Sequence, residues 1–408
     1  MKRTVFIIIA LLLGGESNVH AQDSEFPTYT IQGQVRHRFE SSAKTFDSEI
    51  SALNFNLLRT RLGVNFYGEK HVEAFIQFQD SRVMGEETNT LTDGSADRFD
   101  LHQGYLKLTD MFNESVDLQI GRFEANYGSQ RLIGAVGWHN IGRSFDGFRV
   151  TIHPENMSID LFNFKAVEEI ETGDEGDLNL YGANGDFKLI ENYKTQAFVL
   201  WQRAQPTDEL SRYTAGLFIS GVSGNFKPEI ELAYQAGTRE SIDVSAFMVT
   251  VNLGYTFSST TIKPTFSVGI DYLSGDDDPA DDTYKVFDTM YATNHKFYGY
   301  MDYFLNIPVH TIGLGLTDIH VKGSVKATKD MSIRLAIHTF MSSEDYTLAD
   351  GSTSTNFGNE VDLTVVYAYT DRVSFVGGVS AFSPGAIFKE TRGEDLSTWA
   401  YASTIINL

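Results

Sequence analysis

The sequence predicts an all-β fold, namely a transmembrane antiparallel β-barrel of about 18 strands in a bacterial outer membrane. Three observations favour this class: apolar and polar residues alternate along most of the chain, short turns alternate with long polar loops, and the first residues are typical of a secretory signal. The 408 residues include 30 Phe, 19 Tyr and 35 Gly. Abundant aromatic residues and glycine favour strands over helices.

The first 21 residues are predicted to be a secretory signal peptide that is not part of the fold. Lys2 and Arg3 form a positively charged start, and Val5–Leu13 is a short apolar core. Val19-His20-Ala21 offers a small-residue cleavage site. The apolar core is shorter than the roughly 20 residues of a membrane-spanning helix. Because no Pro-, Ser- or Gly-rich linker divides the remainder, we expect residues 22–408 to form a single transmembrane β-barrel domain.

Period-two alternation is clear in two consecutive segments near the start of this domain. In LLRTRLGVNFYG, the apolar residues Leu58, Leu62 and Phe66 share one face. Arg59 and Arg61 share the opposite face. The next segment, HVEAFIQFQ, alternates in the same way after the short turn GEK. Each segment is therefore predicted to be a strand with one apolar face.

The connections between such segments alternate in length, which is typical of outer-membrane barrels. The short connections are Gly68–Lys70, His153–Asn156, Ile190–Asn192, Gly221–Gly224, Thr328–Asp330 and Thr370–Arg372. The long ones contain DSRVMGEETNTLTDGSADR, EEIETGDEGD, SGDDDPADDTYKVFDTMYATNH, SSEDYTLADGSTSTNFGN and SPGAIFKETRGED. The segment Phe297–Leu316 fits no clear assignment. A barrel of this size holds an aqueous passage unless a plug fills it, so we predict an open or loop-gated pore.

No motif for covalent or metal chemistry is present, because HExxH, GxSxG and Walker-type sequences are all missing. The chain has no cysteine, which excludes disulfides and thiolate metal sites. The acidic loop Gly275–Asp282 offers oxygen ligands for a divalent cation, but its spacing lacks the pattern of a calcium loop. We therefore predict that the protein is not an enzyme, and that it has no catalytic residue, cofactor, resident metal or nucleic-acid partner.

Arginine is concentrated in the first third of the chain, although 54 acidic side chains outnumber 32 basic ones. Period two places Arg59 and Arg61 opposite the apolar face, and it places Arg149 opposite Phe148 and Val150. A guanidinium that faces lipid at mid-depth costs about 2–4 kcal/mol, which favours an inward placement. Several arginines in a lumen attract anions, and the planar guanidinium donates two parallel hydrogen bonds to a carboxylate.

Two alternatives remain open at this point. Arg122 shares its parity with Leu118 and Ile120, which directs it outward unless Gly121 marks a bulge or the residue lies above the membrane band. Some arginines could instead pair with lumen acids and only hold the shape of the barrel.

The arginine-bearing segments resemble those of the alginate export family of outer-membrane channels. The similar segments are RTRLG (Arg59–Gly63), FQDSRVMGE (Phe78–Glu86), DLHQGYLKL (Asp100–Leu108), GRFEANYGSQRLIG (Gly121–Gly134), WHNIGRSFDGFRV (Trp138–Val150) and TNHKFYGYMDYF (Thr293–Phe304). The resemblance implies a monomeric barrel with a narrow constriction that passes an anionic polysaccharide. The constriction residues it implies are Arg59, Arg61, Arg82, Arg122, Arg131, Arg143 and Arg149, with acidic partners Asp80, Glu124 and Asp146.

The sequence thus predicts an anion-selective outer-membrane channel for an alginate-like uronate polymer or for smaller acidic solutes. Its other expected partners are outer-membrane lipid and lipopolysaccharide. The alternatives are a general diffusion porin without polymer specificity, and a barrel adhesin that uses the acidic loops Glu168–Asp177 and Gly275–Asp282.

Overall fold

The computed structural model describes residues 28–69, 71–85, 99–168, 176–205, 209–240 and 242–408. The predicted signal peptide therefore lies outside the described residues. Within them, nineteen strands form one sheet. They are β1 Thr28–Ala43, β2 Leu53–Tyr67, β3 Val72–Val83, β4 Phe99–Asp110, β5 Val116–Phe123, β6 Phe145–Ile152, β7 Met157–Val167, β8 Asp177–Phe187, β9 Tyr193–Gln205, β10 Leu210–Gly221, β11 Phe226–Arg239, β12 Ile242–Thr256, β13 Thr265–Leu273, β14 Thr283–Tyr284, β15 Leu316–Lys326, β16 Met331–Thr347, β17 Thr353–Ala368, β18 Val373–Pro384 and β19 Ser397–Asn407.

Eighteen of these strands close into an antiparallel barrel, which confirms the predicted fold class. Each long strand pairs with its neighbours in chain order, and β1 closes the sheet by pairing with both β2 and β19. The two-residue β14 is the exception, because it pairs in parallel with β12 inside a loop. The segment that the sequence pattern left unassigned, Phe297–Leu316, is a loop that ends where β15 begins.

The two faces of the barrel differ as the period-two pattern predicts. On β2, the side chain of Leu62 is 52% exposed on the outside, whereas Arg59 is only 4% exposed and points inward. Aromatic rings contact one another on the outer face near both ends of the strands: Trp201 stacks on Tyr213 with 5.5 Å between centroids, and Phe226 meets Tyr255 edge-to-face at 4.9 Å. An apolar band between two aromatic girdles is the outer surface of a membrane barrel.

Where the structure describes them, the connections also alternate as predicted, with one correction; most of the predicted long loops DSRVMGEETNTLTDGSADR and EEIETGDEGD lies outside the described residues. Tight turns join the strands at one end, where residues such as Asn156 and Asn192 adopt positive φ angles that asparagine tolerates. The segment SSEDYTLADGSTSTNFGN was expected to be a long loop. It is mostly strand, because β16 runs to Thr347 and β17 starts again at Thr353. The two strands continue to pair up to Thr347 and Thr353, so this segment is a β-hairpin.

Two loops from the opposite end fold into the barrel and fill its interior. We call residues 124–144, between β5 and β6, the inner loop, and residues 274–315, between β13 and β15, the long loop. Buried aromatic side chains of both loops and of the barrel wall form one continuous cluster. The described helical segments are short, namely Met111–Glu114, Asn294–Lys296, Ile307–His310 and Ala386–Thr391. In the described parts of the chain, no helix has the length and apolar character needed to cross a membrane.

Candidate functional site

The inner loop and the long loop pair with each other inside the barrel. Ile133 and Tyr291 form a parallel β-bridge, and Tyr291 N donates to Leu132 O at 2.9 Å. The ring of Trp138 stacks on the ring of His295, with 4.7 Å between centroids. The two loops therefore act as one body that crosses the lumen.

Four arginines from β1 and β2 hold one end of this body, and we call them the basic wall: Arg36, Arg38, Arg59 and Arg61. Arg36 donates to the backbone oxygens of Gly137 and His139, both at 2.9 Å. Arg59 donates to the same two oxygens at 3.3 and 3.2 Å. These contacts satisfy carbonyl groups of a loop that would otherwise be buried without a partner.

The other two arginines of the basic wall have acidic partners. Arg38 pairs with Glu40 at 2.7 Å, donates to Trp138 O at 2.8 Å and lies over the Trp138 ring. Arg61 pairs with Glu124 at 3.1 Å, and Glu124 also accepts from His102 at 2.7 Å. Glu124, which the family resemblance implied as an acidic partner of the arginines, lies at the start of the inner loop.

The opposite wall carries the acids Glu229, Glu231 and Asp271, which we call the acidic wall, and it holds the inner loop through Arg131. This side chain is 1% exposed and donates to Asp271 on β13 and to Glu229 on β11, the latter at 2.9 Å. Glu231 lies 3.7 Å from the same guanidinium. The ring of Phe297 in the long loop covers its other side at 3.9 Å. The inner loop is therefore anchored by the ion pairs of Arg131 on this wall, and by arginine–carbonyl contacts together with the Arg61–Glu124 ion pair on the other.

The remaining two predicted arginines inside the barrel have different surroundings. Arg143 donates to the backbone oxygens of Gly134, Tyr291 and Ala292, so it joins the inner loop to the long loop. Arg149 lies on the short-turn side of the inner loop, where it donates to Gln119. It borders a cavity of about 380 Å³ together with His153, Asp160, Lys188 and Gln196.

Four predicted site residues lie on the outer wall instead, which corrects the expectation for them. Arg82 pairs with Asp80, and Arg122 pairs with Asp146 at 3.0 Å. Arg82 and Asp80 share the parity of Phe78, which faces outward on β3. Arg122 shares the parity of the outward residue Ile120, because the pairing of β5 with β4 and β6 continues in register through Gly121 without a bulge. Arg82, Arg122 and Asp146 each lie next to the end of a strand, so their charges meet the interface and not the apolar band.

The predicted site residues did not include Arg36 and Arg38 or the acidic wall. The first two had a readable signal, because they alternate on β1 with Phe39, which is an outward residue. On the opposite wall, Glu229 and Glu231 alternate on β11 in the same way, whereas Asp271 is a single acid on β13 and forms no local motif with them.

A closed barrel with an apolar outer face, a polar lumen and loops folded inward is an outer-membrane channel. The chain belongs to the alginate export family, whose model matches residues 28–401. None of the curated proteins matches it significantly.

Solved outer-membrane channels share the fold at low sequence identity. OccK11 (OpdR) of Pseudomonas aeruginosa superposes with a TM-score of 0.63 at 10% identity, over 93% of this chain and 96% of that one. OccAB4 of Acinetobacter baumannii gives a TM-score of 0.62 at 10% identity, over 95% of this chain and all (100%) of that one. OpdK of P. aeruginosa gives a TM-score of 0.60 at 12% identity, over 93% of this chain and 98% of that one.

Proposed function

We propose that the barrel is an anion-selective channel for alginate-like uronate polymers or smaller acidic solutes, gated by the inner and long loops. We further propose that it works as a monomer in contact with lipid and lipopolysaccharide. One observation carries the proposal: among the described residues, neither Arg36 nor Arg59 forms a salt bridge, although both side chains are buried. Their charges are met by backbone carbonyls and the amide of Gln34.

A carboxylate is a better partner for these two groups than a carbonyl oxygen. Hydrogen bonds between two charged groups are roughly twice as strong as those between neutral groups, and a carboxylate accepts two from one guanidinium. The Nε atoms of Arg36 and Arg59 are buried without a hydrogen-bond partner. An acidic solute therefore competes with Gly137 and His139 for the basic wall, and it releases that end of the inner loop.

The positive charges of the basic wall affect the pKa of a histidine in the inner loop. Burial lowers the pKa of His139 in the inner loop, and the nearby charges of Arg38 and Arg36 lower it further. A neutral His139 adds no further positive charge beside the guanidiniums of Arg36 and Arg59, which have no acidic partner among the described residues. The excess charge thus remains available for an anion.

A second set of basic groups extends the path toward the short-turn side. Arg149 and Lys188 border the cavity below the inner loop, and Lys322 and Arg334 border a cavity of about 180 Å³ on the other side of the lumen. Acidic residues are interspersed in both cavities. An anion that moves from one basic group to the next is held weakly at each, as conduction requires.

Measurement of ion selectivity in planar bilayers tests this function. A charge at about 8 Å in a medium of effective dielectric constant about 20 contributes roughly 2 kcal/mol before screening. We therefore expect the Arg36→Gln/Arg59→Gln variant to lower the anion-to-cation permeability ratio at least about tenfold in dilute salt and to weaken block by oligo-uronates.

The matched control is the Arg82→Gln/Arg122→Gln variant, which removes two arginines from the outer wall and should leave selectivity unchanged. Equal effects of the two double variants, or a cation-selective parent channel, would contradict the proposal. A general diffusion porin would conduct both kinds of ion alike and would ignore added oligo-uronate.

A further inference from the structure

A cluster of two histidines and one aspartate lies on the lumen face of β15 and β16, away from the arginines of the basic wall. It consists of Asp318 and His320 on β15 and His338 on β16, none more than 2% exposed. Nδ1 of His320 lies 3.2 Å from Oδ2 of Asp318, and Nδ1 of His338 lies 2.9 Å from the same oxygen. One ligand atom from each residue can be chosen so that all three lie within 4.8 Å of one another.

We propose that Asp318, His320 and His338 bind a divalent transition-metal ion of the Zn²⁺ or Co²⁺ type. Two imidazoles and a carboxylate are ligands that these ions prefer. Bonds of about 2.0–2.2 Å set neighbouring ligand atoms roughly 2.8–3.1 Å apart in an octahedron and roughly 3.3–3.6 Å apart in a tetrahedron. The separations of 2.9 and 3.2 Å from the Asp318 oxygen match these distances. The ligand atoms of the two histidines lie within 4.8 Å of each other, so a metal would draw the two rings together around the carboxylate.

The groups around the cluster suit a bound cation. The side-chain amide of Asn252 lies 3.1 Å from Nε2 of His320. Turned by half a rotation, it presents its oxygen to the ring N–H, which is the usual second contact of a metal-bound histidine. Glu360 is opposite His338 in register, and Glu360 and Asp362 each have a buried carboxylate oxygen without a hydrogen-bond partner. Acceptor oxygens without a donor favour a cation at this wall.

The cluster lies two residues along β15 from a cavity-lining side chain and is connected to the long loop through aromatic contacts. Lys322 follows His320 by two residues on the same face of β15, and it borders the cavity of about 180 Å³ on the short-turn side. The ring of His338 stacks on Phe340 at 5.2 Å, and Phe340 contacts Phe304 of the long loop at 4.5 Å. A metal ion therefore fixes the part of the wall against which the long loop packs.

Titration of the purified, chelator-treated full-length barrel with Co²⁺ tests the proposal, because Co²⁺ bound to imidazole and carboxylate absorbs in the visible. We expect one ion per barrel, displacement of Co²⁺ by Zn²⁺, and a rise in the thermal unfolding temperature with either metal. Replacement of one ligand, His338→Asn or His320→Gln, should weaken binding at least about tenfold. These measurements do not depend on the solute that the channel conducts.

The control is His71→Asn, which removes an exposed histidine that pairs with a single aspartate, Asp110, at 2.8 Å. This variant should bind Co²⁺ as the parent does. Heat-modifiable migration in gels shows that each variant is a folded barrel, and the milder Asp318→Asn serves if a histidine variant does not fold. Absence of Co²⁺ binding by the parent, or equal loss in the His71 and His338 variants, would overturn the proposal.

Discussion

Arg131 is the side chain that most directly anchors the inner loop, and its replacement by methionine tests that role. The guanidinium is fully enclosed by Asp271, Glu229, Glu231 and the ring of Phe297. Methionine fills a similar volume but carries no charge, so the carboxylates of the acidic wall lose their buried partner. Removal of one member of a buried ion pair costs about 3–5 kcal/mol.

This cost sets the size of the expected effect. Since about 1.4 kcal/mol corresponds to a factor of ten, the equilibrium between anchored and released loop shifts by roughly two to three and a half orders of magnitude. A thiol probe measures this shift cleanly, because the chain contains no cysteine. Ala135 is a buried residue of the inner loop, and in an Ala135→Cys background its labelling rate follows the released fraction.

We expect Arg131→Met to raise that labelling rate at least about a hundredfold and to increase the frequency of high-conductance openings. The double variant Arg131→Met/Asp271→Asn should recover much of the protection, because it also removes the carboxylate that was left unpaired. Arg122→Met, on the outer wall, is the control for loss of an arginine. An unchanged labelling rate in Arg131→Met, or an equal rise in the control, would refute the anchoring role.

Two further predictions concern the wall and the long loop. Gly121 has a φ of +129°, and a Cβ there would lie 2.3 Å from a carbonyl oxygen of β4. We therefore expect Gly121→Ala to lower the free energy of unfolding by about 1–3 kcal/mol in urea titrations. The control Gly137→Ala should leave it unchanged, because a Cβ at Gly137 meets nothing within 4 Å. Lys285 lowers the pKa of Asp277 and of Asp281 by hydrogen bonds, so these contacts stabilise the loop above the ordinary aspartate pKa of about 3.9 and are lost as the pH falls through the lowered values. After correction for intrinsic exchange, amide hydrogen exchange around Asp277 and Asp281 should speed up in the parent as the pH falls through the lowered pKa values. In Lys285→Met, which lacks these contacts, the exchange rate should not change over the same pH range.

The barrel wall could be predicted from the sequence because strands have a period and lipid penalises charge. Both facts together placed Arg59 and Arg61 inside, where the structure has them. Motif similarity alone was a poorer guide, since it assigned Arg122 to the constriction while parity already directed it outward. A motif records which residues are present, whereas the face that a side chain occupies depends on strand register.

The loops could not be predicted in this way because they have no period. The partner of Arg131 is Asp271, 140 residues away, and nothing near either residue in the sequence signals the contact. The same holds for Tyr291, whose backbone oxygen accepts from Arg143. Such contacts arise only after the barrel has closed and brought distant strands to opposite sides of one lumen.

The parts of the inner loop around Gly137 and around Arg131 are held by different chemistry, and this difference sets the order in which a solute can release them. At the basic wall, Arg36 and Arg59 bind neutral carbonyl oxygens, which an incoming carboxylate can replace. At the acidic wall, Arg131 already has buried carboxylate partners that no anion improves upon. We therefore expect an acidic solute to free the Gly137 end first, while the Arg131 end holds the loop within the barrel and restores the closed state after passage.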